Sequence, residues 1–266
     1  MYETNYHRAG SVAEAAQLIA KAEDGKFLGG GQTLLPTMKQ RLAAPSDLVD
    51  LTRIPDMKGI REDGGQIVIG AATTHAEVAA SALIKSKLPG LSGLAGGIGD
   101  PAVRHMGTIG GSIANNDPAA DYPAALVGLE ATITTSKRTL SAEDFFVGMF
   151  ETALADDEIV VSVSFPAAEK SSYAKYPNPA SRYAMAGVFV ARRGDGSVRV
   201  AVTGAGDGGV FRVGDMEAAL AANWSPDAVA GIAVDSGGML QDIHGSSRYR
   251  ANLVTVMAKR AVAAAG

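Results

Sequence analysis

The chain has 266 residues, 47% apolar and 20% charged, and its 24 Lys and Arg against 28 Asp and Glu leave a net charge of −4. This is the composition of a globular protein of one large or two smaller domains, and it excludes a disordered chain and a basic, nucleic-acid-reading face. Its zero cysteines exclude disulfides, a thiol nucleophile, thiolate-bound zinc and any iron–sulfur cluster held by this chain, and His7, His75, His105 and His244 are too scattered for a histidine metal site.

Ser11-Val12-Ala13-Glu14 has capping-box spacing, and Val12, Ala15, Ala16 and Ile19 recur at helical intervals, so a helix over 12–22 is expected to open the fold. Lys26-Phe27-Leu28 reads as a strand entering three glycines, followed by a helix over 33–42 and a strand over 47–51, a small unit with parallel strands. A strand over 66–71, a second capping box at Thr74-His75-Ala76-Glu77, a glycine-rich stretch over 93–111, a helix over 121–129 and strands over 131–134 and 159–163 continue as mixed α and β. Residues 167–172, small and polar, mark a boundary, giving a first unit of 1–168, subdivided at about 55, and a second of 169–266. Strands over 173–176, 183–191 and 198–203, then helices over 215–222, 226–234 and 247–264, predict an antiparallel sheet with helices on one face, so the class is α+β. The longest apolar run, 183–191, stops at Arg192-Arg193, short of the roughly 20 residues of a membrane span. A cytoplasmic protein is expected.

Three clusters stand out among the thirty-two glycines. Gly204-Ala205-Gly206-Asp207-Gly208-Gly209 matches GxGxxG, but the alternating Val210-Phe211-Arg212-Val213 after it suits a strand, so a hairpin is expected there. Gly29-Gly30-Gly31-Gln32-Thr33 joins a strand to a helix N-terminus, where free N–H groups favour an anion; a plain turn is the other reading. The third cluster runs from Gly96-Gly97-Ile98-Gly99-Asp100-Pro101 to Thr108-Ile109-Gly110-Gly111-Ser112. In it Gly110-Gly111 is expected to expose its amides as a nest, with Thr108 and Ser112 as hydroxyl donors. Asp121, just beyond, either accepts from sugar or ribityl hydroxyls or caps the next helix, and Asp100 and Asp117 read as turn formers before proline.

Gly29 to Pro36, Gly107 to Ser112 with Asp117-Pro118-Ala119-Ala120-Asp121-Tyr122-Pro123 behind it, and Asp242-Ile243-His244-Gly245-Ser246-Ser247-Arg248-Tyr249-Arg250 before a long helix together resemble the FAD-binding medium subunits of the molybdenum hydroxylases. That family includes aerobic carbon monoxide dehydrogenase and bacterial xanthine dehydrogenase. The resemblance implies that Leu28, Gly29, Gly30, Gly31, Gln32, Thr33, Leu34 and Leu35, with Gly107, Thr108, Ile109, Gly110, Gly111 and Ser112, hold the FAD pyrophosphate and ribityl region. It places Ile98, Asp121, Val160 and Lys175 at further cofactor contacts and tips Asp121 toward ligand contact. It implies no catalytic residue and no metal ligand in this chain. The partners it implies are a small subunit carrying 2Fe–2S clusters and a large molybdenum–pterin subunit, in a dimer of heterotrimers, with a quinone, NAD or oxygen as acceptor. Gln32-Thr33 stands where many relatives have His-Ser, and Arg182 precedes Tyr183 where xanthine-type members carry an acid, which favours the carbon monoxide dehydrogenase-like branch. His75 reads as a first-turn helix residue, His105 as a loop residue near cofactor or partner. A stand-alone FAD-dependent oxidase and a non-enzymatic nucleotide-binding module are the alternatives. The terminal helix, with Leu253, Val256, Met257, Arg260 and Ala261 at helical spacing, packs on its own sheet or helps form a partner's dock.

Overall fold

A computed structural model describes residues 1–266. Strand β1 (Asn5–Arg8) precedes helix α1 (Val12–Ile19), so a strand and not a helix opens the fold. β1 is mostly exposed and has no apolar run to announce it; it is recruited edge-on by β3 (Asp47–Asp50), with Asn5 opposite Asp47 and Arg8 opposite Asp50. With β2 (Gly25–Leu28) and the short helix α2 (Leu34–Lys39) it completes a parallel sheet of order β1-β3-β2.

Next come β4 (Ile60–Asp63), β5 (Gln66–Gly70), α3 (His75–Ala80), α4 (Ala82–Lys87), α5 (Pro89–Gly96), α6 (Pro101–Met106), α7 (Ile109–Asn115) and α8 (Tyr122–Gly128). They are followed by β6 (Thr132–Thr135), β7 (Thr139–Ser141), α9 (Ala142–Phe145), the hairpin β8 (Phe146–Gly148) and β9 (Glu151–Thr152), and β10 (Val160–Pro166). The sheet here is antiparallel, in order β4-β5-β10-β6-β7. The glycine-rich stretch is helical rather than loop. Pro89 and Pro101 sit in first turns, Asp100 accepts from the Val103 amide and Thr108 from that of Gly111, so each short helix has its own start signal despite the glycines. Thr74 and Glu77 form the full capping box of α3.

The last unit holds β11 (Lys170–Pro177), β12 (Ala184–Arg192), β13 (Val198–Thr203) and β14 (Phe211–Arg212), then α10 (Gly214–Ala222), α11 (Pro226–Ala230) and α12 (Ser247–Ala265). Its sheet is antiparallel, in order β11-β12-β13-β14. Residues 204–209 turn β13 back into β14, as the alternating sequence beyond them predicts; Gly204 has φ +79° and abuts the Ala184 carbonyl, leaving no room for a Cβ. α11 stops at Ala230, short of the expected 234, because Gly231 follows as its C-cap.

β12 is buried on both faces, which explains its unbroken apolar run. Val188 and Val190, with Val200 and Val202 of β13, pack under α10, α11 and α12, while Phe189, Ala191 and Ala201 join the larger core of the first unit, against α5 and α8. Leu253, Met257 and Ala261 of α12 are buried in the first of these layers, so the helix packs on its own sheet. An ion-pair network also ties the units together: Arg199 reaches Glu130 at 2.5 Å and Glu143 at 2.6 Å, Arg212 reaches Glu143 at 2.9 Å and Glu217 at 2.5 Å, and Arg193 closes on Glu130.

Candidate functional site

β2 ends where the Leu28 carbonyl accepts from the Leu51 amide at 3.0 Å, and the chain leaves the sheet through the three glycines. The amides of Gly29, Gly30, Gly31, Gln32, Thr33 and Leu34 make no hydrogen bond within the chain. A run of unpaired donors is an anion cradle, because each N–H needs an acceptor from outside. Gly31 has φ +70°, and Gly30 lies so close to the Met106–Gly107 backbone that a Cβ would fall on the Met106 carbonyl. The two glycine loops therefore touch, and the first must be glycine to let them.

The second loop is built differently. Its amides are spent internally: Ile109 donates to Thr73 at 3.1 Å, Gly110 to the Ala71 carbonyl at 2.9 Å, Gly111 to Thr108 Oγ1 at 3.1 Å and Ser112 to the Thr108 carbonyl at 3.0 Å. The expected nest at Gly110-Gly111 is thus not free, because those amides form the first turn of α7 and its join to the segment after β5. Gly110 is required by close approach instead; a Cβ there would sit 2.6 Å from the Ala71 Cβ and 2.7 Å from its oxygen. At Gly111 a Cβ would meet only Thr108 Oγ1 within 4 Å, so its outer side is open. One loop supplies donors and the other a smooth wall.

Between them lies a cavity of about 470 Å³. It brings together Leu28, Gly29, Gly30, Gly31, Gln32, Thr33 and Leu34 from the first loop, Gly107, Thr108, Gly110, Gly111 and Ser112 from the second, and Ile98, Asp121 and Val160. Three expected residues do not line it. The Leu35 side chain tucks beneath Gly31, Ile109 points into the core, and Lys175 lies behind Asp121 in an adjoining recess.

Asp121 stands at the N-terminus of α8 without capping it. Its carboxylate, buried in the wall, instead accepts from the Tyr173 hydroxyl at 2.5 Å and from Lys175 Nζ at 3.1 Å, and Lys175 also donates to the Gly97 carbonyl at 2.9 Å. Burial pushes the Asp121 carboxyl up from the ordinary range, while the Lys175 ammonium and the Tyr173 hydroxyl pull it down. Both partners come from β11. Tyr173 has room to reach across only because Gly187 beside it carries no side chain. Asp100 and Asp117 act as their spacing predicts, Asp100 capping α6 and Asp117 turning the chain by accepting from the Ala119 amide at 2.8 Å.

Sequence reasoning did not assign His75, Glu158 or Tyr183 to the cavity, though all three line it. His75 is buried with its ring 5.3 Å from that of Tyr122; neither His75 Nδ1 nor the Tyr122 hydroxyl has a partner. Burial, aided by the nearby Arg104 charge, lowers His75 to about 4 and keeps the imidazole neutral. The Glu158 carboxylate is gripped by the Arg138 guanidinium, with both bonds at 3.0 Å, and by Thr135 Oγ1 at 2.6 Å, which holds it down at about 2. Tyr183 was legible only as the aromatic after Arg182. His105 sits in the last turn of helix α6, not in a loop, with Nδ1 2.7 Å from the Pro101 carbonyl, and does not line the cavity.

The site thus has unpaired backbone donors on one side, close-packed backbone on the other and a buried carboxylate between. Residues 2–168 match the family described as the FAD binding domain in molybdopterin dehydrogenase. The chain is 35% identical to the medium chain of carbon monoxide dehydrogenase from Hydrogenophaga pseudoflava, covering 98% of this chain and 96% of that one. It is 34% identical to the nicotine 6-hydroxylase medium subunit of Paenarthrobacter nicotinovorans, with the same coverage. Among solved structures, reconstituted carbon monoxide dehydrogenase from Oligotropha carboxidovorans superposes with a TM-score of 0.90 at 32% identity, over 99% of this chain and 98% of that one.

Proposed function

The chain belongs to the FAD-binding medium subunits of the molybdenum hydroxylases, and from that premise we propose that it is the electron-transfer subunit of a heteromeric complex. In this reading the small subunit's 2Fe–2S clusters deliver electrons drawn from substrate at the large subunit's molybdenum–pterin centre, and this chain passes them to an external acceptor. Residues 1–168 form the FAD-binding unit, and 169–266 a C-terminal unit that braces it. Gln32-Thr33 and Arg182 support the carbon monoxide dehydrogenase-like branch.

The observation that carries the reading is the run of six unpaired amides, Gly29 to Leu34, facing a glycine-smooth wall across one cavity. These residues fit FAD. The amides would hold the pyrophosphate, Gly110 and Gly111 keep the opposite wall flat, and Asp121, steadied by Tyr173 and Lys175, would accept from hydroxyls. FAD, when bound, supplies the redox chemistry; the protein supplies position, dryness and electrostatics. His75, lowered to about 4 by its burial, is a weak base and Glu158 is locked to Arg138, so neither is poised to take a proton at neutral pH.

Reconstitution tests the reading. The FAD-loaded chain alone is expected to accept electrons from dithionite but from no candidate substrate until the cluster-bearing and molybdenum-bearing subunits are added. Substrate-dependent bleaching of the flavin in the lone chain overturns it in favour of a stand-alone oxidase.

A further inference from the structure

His75 opens α3, and the start of that helix is tied twice to the second glycine loop: the His75 amide donates to the Gly107 carbonyl at 2.9 Å, and Thr74 bridges Thr108. The capping box of Thr74 and Glu77 fixes the backbone there, so rigid neighbours hold the imidazole in the cavity wall. Its two nitrogens differ. Nδ1 is sealed in without a partner, whereas Nε2, which also makes no hydrogen bond within the chain, is not sealed. What leaves Nε2 uncovered is Gly107. A Cβ there would sit 2.6 Å from Nε2 and 2.9 Å from Cδ2, although φ −62° and ψ 139° suit any residue, so space and not backbone strain asks for the glycine. Gly30 packs against the same residue, close enough that a Cβ on it would fall 2.6 Å from the Gly107 Cα. The imidazole edge and the run of unpaired amides therefore adjoin Gly107 together, at one end of the cavity.

Burial keeps the ring neutral, with a single proton to place. On Nδ1 it would make a buried N–H with no acceptor; on Nε2 it serves the cavity. The wall opposite the amides of Gly29 to Leu34 is short of such a donor, because the second loop spends the amides of Ile109, Gly110, Gly111 and Ser112 internally. We propose that His75 is a cofactor-binding residue, its Nε2–H donating a hydrogen bond to a pyrophosphate oxygen of FAD and completing, from the side of the second loop, the cradle that Gly29 to Leu34 begin. A neutral donor suits the place, since it adds a hydrogen bond to a charged oxygen without burying a second cation near Arg104. The proposal rests on the FAD reading and adds a contact to it.

The test compares the full chain with two variants, freed of flavin and titrated with FAD at about pH 8, above the ordinary histidine range. His75→Phe keeps a ring and drops the donor; His75→Gln returns an N–H at nearly the same reach. His75→Phe is expected to bind FAD at least about tenfold more weakly, and His75→Gln to stay within about threefold of wild type. In histidine-labelled wild type with FAD bound, ¹⁵N NMR is expected to find the ring proton on Nε2, the His75 signal being assigned by its loss in His75→Gln. With FAD saturating, the ³¹P resonances of its pyrophosphate should differ between wild type and His75→Phe while the visible flavin spectrum does not. Unchanged affinity in His75→Phe, a folded His75→Gln as weak as His75→Phe, a ring proton on Nδ1, or identical ³¹P spectra overturns the proposal. Should circular dichroism show His75→Phe unfolded, the affinity of His75→Gln and the position of the ring proton decide. A wild-type chain that takes up no FAD refutes the functional reading itself, whereas FAD uptake indifferent to His75 refutes this proposal alone.

Discussion

At Gly110 and Gly30 an added side chain would meet a neighbour's backbone, with different consequences for fold and function. Gly110 is pressed on Ala71, so Gly110→Val overpacks the junction between β5 and α7, at a cost of roughly 3 kcal/mol. Its melting temperature should fall with or without FAD, which differential scanning calorimetry of the two forms would show. Gly30→Ala instead forces apart the two loops at Met106, so its larger loss should be in FAD affinity, measured by fluorescence titration. His75 sets a pH dependence. Its buried imidazole titrates near 4 against 6.5 when exposed, so between those values the unfolded chain binds a proton that the folded chain refuses. Stability is therefore expected to fall as pH drops from 6.5 to 4, by up to about 3 kcal/mol, in urea melts of the wild type. His75→Gln should flatten that window.

Among the elements, α7 carries the wall of the site and depends on one side chain for its start. Thr108 Oγ1 accepts from the Gly111 amide, and the two glycines that follow offer little helix propensity of their own. Thr108→Val removes the cap at nearly constant shape and should cost about 1 kcal/mol. The same change frees the Gly111 amide toward the cavity, so FAD affinity should change less than stability does, a split visible when urea melts and FAD titrations are run on one preparation. β11 is the counterpart on the other side. It is an edge strand of the C-terminal sheet and sends Tyr173 and Lys175 to Asp121 at the start of α8.

That reach makes cofactor binding a property of the whole molecule. Asp121 stands at the start of α8 and its partners on β11, some fifty residues later in the chain, with the core packing of Phe189 and Ala201 and the ion-pair network beside them. FAD is thus expected to raise the melting of the whole chain in a single transition. Tyr173→Phe removes the hydroxyl bond to a buried carboxylate, and should lower FAD affinity about tenfold while leaving the sheet intact by circular dichroism. Neither residues 28–35 nor 107–112 hold a cysteine or a histidine, so FAD is expected to be held noncovalently and denaturation should release it; yellow colour retained by precipitated protein would contradict this.

What the sequence by itself determined was whatever rests on local chemistry. The caps at Ser11 and Thr74, the apolar runs of β5, β10, β12 and β13, the hairpin at 204–209 and the donor-rich turn at Gly29-Gly30-Gly31 depend on neighbours a few residues apart. Only the tertiary structure decided the features made by distant partners. β1 is a strand because β3 offers it an edge, Gly110 is glycine because Ala71 lies against it, and Asp121 neither caps α8 nor stands free because Tyr173 and Lys175 cross from β11 to hold it. The same holds for His75, which looks like an ordinary first-turn residue until the fold buries it in the cavity wall. Hydrogen bonds and close approach act over a few ångströms, and which residues come that near is set by packing, which no spacing along the chain records.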